Sequence, residues 1–126
     1  MRTASKGKEL YKLKATVLLV VRNKEGKWLV VDESKNRGWS LPGGHVDPPE
    51  SYIEAGCRET REEAGVDVSV KGVLRFEYSI KDHNKMRLRV ILYAEPIDEN
   101  QKPKSTPDKH SNGAKWVTLE ELLKLN

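Results

Sequence analysis

The most constraining feature of the chain is a glycine turn followed by a segment that is dense in carboxylates. Gly43-Gly44 precedes Glu50, and residues 58–66 then read RETREEAGV. Several carboxylates on one helix repel each other unless a positive charge lies among them. A hard divalent cation such as Mg²⁺ meets this need with oxygen ligands and retains waters for chemistry. The segment therefore predicts a metal-assisted phosphate site.

The residues around this segment predict a helix with defined ends. Ser51 and Glu54 form the pattern of a capping box at its start. Gly65 is placed to end the helix in the left-handed conformation. With about 100° of rotation per residue, one stripe of the helix is assigned to the core. This stripe carries Ile53, Cys57, Thr60 and Ala64.

The spacing of the segment resembles the Nudix box. In that motif a glycine, here Gly44, is followed after five residues by Glu50 and after seven more by residues 58–66. Every fixed glycine, glutamate and arginine of the box is present, while Thr60 stands where the family usually has an aliphatic residue. The lead-in WSLPGG at 39–44 is also similar to that of the family. The resemblance implies an α/β/α sandwich with a mixed β-sheet and a loop-helix-loop box.

The resemblance also implies the metal ligands. Glu59, Glu62 and Glu63 would hold Mg²⁺, or Mn²⁺ as a substitute, and the backbone carbonyl of Gly44 is an additional ligand in some relatives. The spacing alone allows Glu59 and Glu63 to grip one cation from one helix face. Glu62 can then hold a second ion or a metal-bound water. Glu62 and Glu63 are therefore candidate catalytic residues as well.

Arg58 and the glycine turn are expected to support the site. In the family, the arginine at the position of Arg58 pairs with the first glutamate of the box, here Glu50, and Arg58 is a further catalytic candidate. Gly43 and Gly44 are candidate substrate-binding residues, because backbone without a Cβ can approach phosphates closely. The alternative is a solvated ladder of charges worth about 0.2–0.5 kcal/mol per pair. That ladder would consist of Glu54, Arg58 and Glu62.

Three candidates lie outside the box. Many family members carry a glutamate about six residues before a tryptophan, on a loop near the metals, where it can act as a base. His110 stands at that position before Trp116, and a histidine can accept a proton from water near neutral pH. If the loop is an ordinary surface loop, Glu62 would assist the water instead. Phe76 and Tyr78 alternate along a predicted strand and could stack on a nucleobase, or pack in the core or on the surface.

The remaining pattern predicts mixed α and β structure. Strands are expected at 12–22, 28–32, 66–80, 86–95 and 115–117. The first two of these strands are expected to form a hairpin, and Thr118 opens a second capping box and a final helix. Residues 96–113 form a long polar loop of the kind that is often functional. Helices and strands do not alternate regularly, which agrees with a mixed sheet.

Composition indicates one globular domain at 1–126 with a loose tail at about 1–8. No apolar run approaches the length of a bilayer span, and the start lacks the apolar stretch of a signal peptide. Cys57 is the only cysteine, so an intrachain disulfide is excluded and a cytoplasmic location is expected. No membrane partner is expected, and a homodimer stays open.

The formal net charge of +4 allows a solvated basic surface or attraction to nucleotide phosphates. The basic residues are scattered along the sequence, so a nucleic-acid partner is not favoured over a small-molecule nucleotide. Two hypotheses follow from the Nudix resemblance. One is Mg²⁺-dependent hydrolysis of a pyrophosphate bond in a nucleoside diphosphate linked to another group, with oxidised nucleotides among the candidate substrates. The other is a nucleotide-binding module that has lost catalysis.

Overall fold

The computed structural model describes residues 12–125. In this range, apolar and β-branched runs form seven strands, and two capped segments form helices. The predicted loose tail at 1–8 lies outside the described residues. The elements in chain order are β1 (Lys12–Val21), β2 (Trp28–Glu33), β3 (Gly38–Ser40), β4 (Gly43–His45), α1 (Tyr52–Ala64), β5 (Val68–Asp82), β6 (Lys85–Pro96), β7 (Gly113–Val117) and α2 (Leu119–Leu123).

The strands form two sheets. The first sheet has the order β4-β1-β6-β5, and the second has the order β3-β2-β7. β1 runs parallel to β6 along its whole length, whereas the other neighbours are antiparallel. The mixed sheet with a packed helix confirms the expected α/β fold.

The predicted hairpin between the first two strands is wrong. β1 and β2 belong to different sheets, and a single bridge between Arg22 and Trp28 links them. Both edges of β1 are already occupied, by β4 on one side and β6 on the other. The turn at 23–27 therefore carries the chain from one sheet to the other.

The core lies between the two sheets and α1. Alternate residues of β1 are buried, and they pack with apolar residues of β2, β6 and α1. α1 comes very close to β1 at Gly56. A Cβ added to this glycine would lie only 2.4 Å from Leu19 Cδ1. The core cluster includes Val17, Leu19, Val21, Leu29, Val31, Ala55, Ala64, Val90 and Leu92.

Both predicted ends of α1 are present. The Ser51 hydroxyl accepts a hydrogen bond from the Glu54 backbone N–H at 3.1 Å, and the Glu54 carboxylate accepts one from the Ser51 N–H at 2.8 Å. Gly65 has a φ of 69°, which few other residues tolerate, and its N–H donates to the Arg61 carbonyl. Thr60 is buried, and its hydroxyl donates to the Gly56 carbonyl at 2.8 Å. The helix is thus fixed by local bonds at both ends.

The predicted core stripe of α1 is partly wrong. Ile53 is 52% exposed, whereas Thr60 and Ala64 are fully buried and Cys57 is half-buried. The buried residues of the helix also include Ala55 and Gly56. The helix is turned so that its small side chains face β1, since these allow the closest approach. A stripe assigned by hydrophobicity gives no weight to glycine and therefore points in a different direction.

Five of the basic residues that are scattered in sequence lie together in space at the hairpin end of the mixed sheet. They line a cavity of about 540 Å³ that contains a single carboxylate, that of Asp82. The cations in its wall are Lys12, Lys14, Lys81, Lys85 and Arg87. This cluster gives that end of the sheet a positive potential, which attracts anions. Among residues 12–125, no helix combines the length and apolarity needed to cross a membrane.

Candidate active site

The glycine turn and α1 bring the predicted carboxylates together beside β4. The Gly43 N–H donates to Glu63 Oε1 at 3.0 Å, which ties the turn to the helix. A Cβ added at Gly44 would lie 2.7–2.8 Å from the carboxylate atoms of Glu59. The Glu59 carboxylate would have to shift to admit a side chain at position 44, whereas position 43 requires glycine because a Cβ there would lie 2.2 Å from the Val17 carbonyl oxygen.

Arg58 is the centre of the charge network. Its Nε and Nη2 donate to the two carboxylate oxygens of Glu50 at 2.8 and 2.9 Å, so the expected bidentate pair is formed. Its Nη1 donates to Glu59 Oε1 at 2.9 Å and to Glu62 Oε1 at 3.0 Å. Nη2 also donates to the His45 carbonyl at 3.1 Å, in the strand of the glycine turn. The density of carboxylates predicted that a metal ion supplies the positive charge among them. In the structure, Arg58 supplies part of that positive charge.

The network affects its carboxylates unequally. The hydrogen bond from Arg58, assisted by the Asp47 N–H, lowers the pKa of Glu50 to about 2. The same pair raises the pKa of Arg58. Burial raises the pKa of Glu63 to about 8, and burial also raises the pKa of Glu59 although Arg58 opposes this. At neutral pH Glu63 therefore retains its proton in this arrangement.

The donors fit a hard divalent cation in their chemistry. Three carboxylates gather here, with Glu59 and Glu62 bonded to Arg58 and Glu63 bonded to the glycine turn. Their positions are a separate matter: among residues 12–125, no three histidine, cysteine, aspartate or glutamate side chains are arranged so that they could hold a metal ion together. Burial and the neighbouring charge of Glu59 raise the pKa of Glu63, and the guanidinium of Arg58 bonds Glu59 and Glu62 and leaves Glu63 without a cationic partner in the described part of the chain. A cation bound by these oxygens would take the place of the proton on Glu63.

The loop of residues 97–112 brings His110 to the same site. His110 Nδ1 lies 3.9 Å from Glu62 Oε1, and the imidazole is partly exposed. The structure therefore places the predicted loop histidine beside a predicted catalytic carboxylate. Its role as a base remains a prediction.

Sequence reasoning missed three residues that hold this loop. Lys104 Nζ donates to the Glu62 carbonyl at 2.9 Å and to Asp108 Oδ1 at 2.6 Å. The Ser111 hydroxyl donates to the Glu63 carbonyl at 2.6 Å. The spacing of Lys104 and Asp108 allows a local ion pair, but the helix carbonyls that complete the contacts lie over forty residues away in sequence. No local pattern shows them.

Phe76 and Tyr78 do not contact the carboxylates. They lie on β5 with 66% and 59% of their surface exposed. Phe76 pairs across the sheet with Val90, which pairs with Val17, which in turn pairs with Gly44. Three strand spacings separate the ends of this row, or about 14 Å. Because paired residues share a face, Phe76 continues the sheet face that carries buried Val90.

Comparison with known families decides the classification. A model of the NUDIX domain matches residues 12–126. The chain belongs to the NUDIX family. This Nudix hydrolase is 33% identical over 117 residues to phosphatase NudJ of Shigella boydii serotype 4. The match covers 91% of this chain and 74% of the relative. Hydrolases of the family generally use divalent metals such as Mg²⁺.

Two solved structures share the fold of this Nudix hydrolase. The MutT protein of Methanosarcina mazei Go1 has a TM-score of 0.69 at 24% identity, and the match covers 92% of this chain and 84% of that one. An ADP-ribose pyrophosphatase of Streptococcus suis 89-1591 has a TM-score of 0.66 at 22% identity, with 85% and 75% covered. At these identities the likeness establishes the α/β architecture of the Nudix domain. The substrate has to be inferred from the residues of the site.

Proposed function

We propose that this Nudix hydrolase cleaves a pyrophosphate bond in a nucleoside diphosphate linked to another group, with Mg²⁺ as its metal. The observation that carries the proposal is the half-buried carboxyl group of Glu63, which has no cationic partner among residues 12–125. It accepts a hydrogen bond from the Gly43 N–H of the glycine turn, and burial raises its pKa to about 8. A buried carboxyl without a cationic partner is costly to ionise. A divalent cation removes that cost.

The metal would be held by Glu59, Glu62 and Glu63, with the Gly44 carbonyl as a further ligand. When bound, it supplies charge neutralisation for phosphoryl oxygens and acidifies a coordinated water. In the reaction, a water oxygen forms a bond to phosphorus, and the bridging P–O bond breaks. The water proton passes to a base on the protein. The leaving phosphate group carries away the electron pair of the broken bond.

The chain's own groups divide the remaining work. Arg58 holds the glycine turn in place through Glu50 and the His45 carbonyl. Either Glu62 or His110 accepts the water proton, and we favour His110 because its partly exposed imidazole lies 3.9 Å from Glu62 Oε1. Substitution of each residue separately distinguishes the two.

The nucleobase would lie on the exposed aromatic side chains of β5. Phe76 and Tyr78 share one sheet face, and Phe76 ends the row that begins at Gly44. The length of that row is comparable with an extended nucleoside diphosphate. Stacking on an aromatic ring contributes about 1–3 kcal/mol per base. Replacement of both residues by alanine should therefore raise KM at least about tenfold, while kcat changes little.

A substrate panel tests this function. The purified protein would be assayed with nucleoside di- and triphosphates, their oxidised forms, nucleotide sugars, ADP-ribose and dinucleoside polyphosphates, and the products separated by chromatography. We expect turnover with Mg²⁺ or Mn²⁺, loss in excess EDTA, and recovery when the metal is restored. Turnover that persists in EDTA contradicts the metal assignment. Nucleotide binding by calorimetry without turnover of any substrate would favour the binding module.

We also propose that the enzyme acts in the cytoplasm, where its single thiol, Cys57, would stay reduced. The Cys57 sulfur donates weakly to the Val68 carbonyl, and burial raises the pKa of the thiol, so the residue is protected from reaction. Cell fractionation with a tagged protein checks this location.

A further inference from the structure

We propose that Lys104 is a positioning residue that holds the loop of residues 97–112 on the end of α1, so that His110 stands beside Glu62. This role goes beyond the Nudix box, which assigns nothing to the loop before His110, and it rests on the hydrolytic function proposed above. Three sets of contacts support it.

The first set is the capping of α1 by the loop. The last carbonyl groups of a helix have no partners within the helix. In α1, the Glu62 carbonyl accepts from Lys104 Nζ at 2.9 Å, and the Ala64 carbonyl accepts from the Lys104 backbone N–H at 2.7 Å. The Glu63 carbonyl between them accepts from the Ser111 hydroxyl. The loop thus satisfies three consecutive carbonyls of the helix that carries the metal-binding carboxylates, and Lys104 satisfies two of them.

The second set concerns the charge of Lys104. Its side chain is only 14% exposed, so the ammonium group is largely removed from water. It lies at the negative end of the helix dipole, where a cation is favoured. Its carboxylate partner is Asp108, at 2.6 Å. A buried ammonium with two acceptors at short distance has one well-defined position, and a surface lysine does not.

The third set of contacts connects Lys104 to the backbone of His110. Asp108 Oδ1 accepts from the backbone N–H groups of His110 at 2.8 Å and Ser111 at 3.2 Å, as well as from Lys104. The bonds from Lys104 and these two N–H groups lower the pKa of Asp108 to about 2. A continuous path therefore runs from the Glu62 carbonyl through Lys104 and Asp108 to the backbone of His110. The His110 imidazole then returns to the Glu62 side chain.

Removal of the ammonium group should release His110 from this place. Lys104→Met keeps the length and most of the packing of the side chain, but it leaves Asp108 without its cation. Misplacement of a reacting group by about 1 Å can cost a hundredfold in rate. We expect kcat to fall about tenfold or more with little change in KM. Lys104→Arg should recover part of the rate. Lys102→Met is the matched control, because Lys102 lies exposed on the same loop.

A double-mutant cycle separates positioning from general stability. If Lys104 acts through His110, Lys104→Met should cause no further loss of kcat in a His110→Ala background. Losses that multiply in the double variant would overturn the proposal. Asp108→Asn provides a second route, since it weakens the link to the His110 backbone and leaves both bonds of Lys104 to the helix. It should reproduce the kcat loss, and an unchanged kcat in this variant, when kcat falls in His110→Ala, would also contradict the proposal.

A measurement without substrate or metal completes the test. The imidazole resonances of His110 would be recorded by NMR in the wild-type protein and in the Glu62→Gln variant. The contact at 3.9 Å predicts that this substitution shifts the His110 resonances. The shift should disappear in the Lys104→Met background, and its persistence would overturn the positioning role. Loss of the shift together with a normal kcat in His110→Ala would support Lys104 as the anchor and reject His110 as the base.

Discussion

α1 and the loop of residues 97–112 meet at the same carboxylates, but they are held in place by different kinds of contact. α1 is fixed by bonds that are close in sequence, such as its caps and the pair of Arg58 with Glu50. The loop has no regular secondary structure, and its side chains bond to helix carbonyls over forty residues away. The contacts within the helix segment are local, whereas the loop makes its contacts only with the finished helix end. Substitutions in the helix should therefore have the larger effects.

The largest effect is expected at Glu63. Glu63→Gln keeps the shape of the side chain and replaces one of the oxygens proposed to bind the metal, so the fold should persist while turnover falls about a thousandfold. Steady-state kinetics and circular dichroism measure the two properties separately. Activity within about threefold of wild type, a difference below about 1 kcal/mol, would show that Glu63 is not part of the site.

Arg58→Ala should lower stability and activity together. It leaves Glu50 unpaired and releases the glycine turn from the helix. Loss of one partner of a fully buried pair costs about 3–5 kcal/mol, and we expect about 2 kcal/mol here because Arg58 is 27% exposed. Arg61→Ala is the control, since Arg61 is 64% exposed and its pair with Asp67 should contribute less than about 1 kcal/mol. Equal unfolding free energies for the two variants in urea would refute the special role of Arg58.

His110→Ala tests the loop half of the site. A general base contributes about a hundredfold or more to the rate, and kcat should fall by that amount while KM stays similar. His83→Ala, in the exposed turn between β5 and β6, should behave as wild type. If kcat is unchanged in His110→Ala and falls in Glu62→Gln, the helix alone carries the base, and the loop only covers the substrate.

The smallest effect concerns pH and the metal-free protein. The pKa of Glu63 is raised in the folded state to about 8 from an ordinary value of 4.5, so the folded state binds the proton more tightly. The resulting stabilisation is fully present below about pH 4.5 and is lost as pH rises through about 8. In EDTA, the unfolding free energy of the wild type should therefore fall between about pH 4.5 and 8 relative to Glu63→Gln. Added Mg²⁺ at pH 9 should restore it. Parallel pH curves for the two proteins would contradict the assigned pKa.

The comparison of helix and loop also explains what the sequence could predict. The caps at Ser51, Gly65 and Thr118 were predicted correctly, because each depends on residues at most four positions apart. The bidentate pair of Arg58 with Glu50 was reached through the family resemblance and is present. In both cases the residues that make the contact lie in one short segment.

The errors and omissions arise from contacts between distant segments. The hairpin of β1 and β2 fails because β1 finds its second neighbour in β6, far along the chain. Ile53 was assigned to the core because it is more hydrophobic than Gly56. Gly56 nevertheless faces the core, because only a residue without a side chain leaves room there for Leu19. Lys104 looked like one basic residue among many, since its partner carbonyls belong to the helix backbone.

The parallel pairing of β1 with β6 has a consequence for how the molecule assembles. β1 is the first described strand to be synthesised, yet it lies in the interior of its sheet, with Lys12 opposite Lys85 and Val21 opposite Ala94. Pairing between such distant segments closes a long loop of chain, which slows folding. α1 precedes β6 in the chain and has local caps at Ser51 and Gly65, but its last three carbonyls gain their partners only when the loop of residues 97–112 arrives. The catalytic centre is expected to become functional only in the last stage of folding, when the chain beyond Pro96 returns to cover the end of the helix.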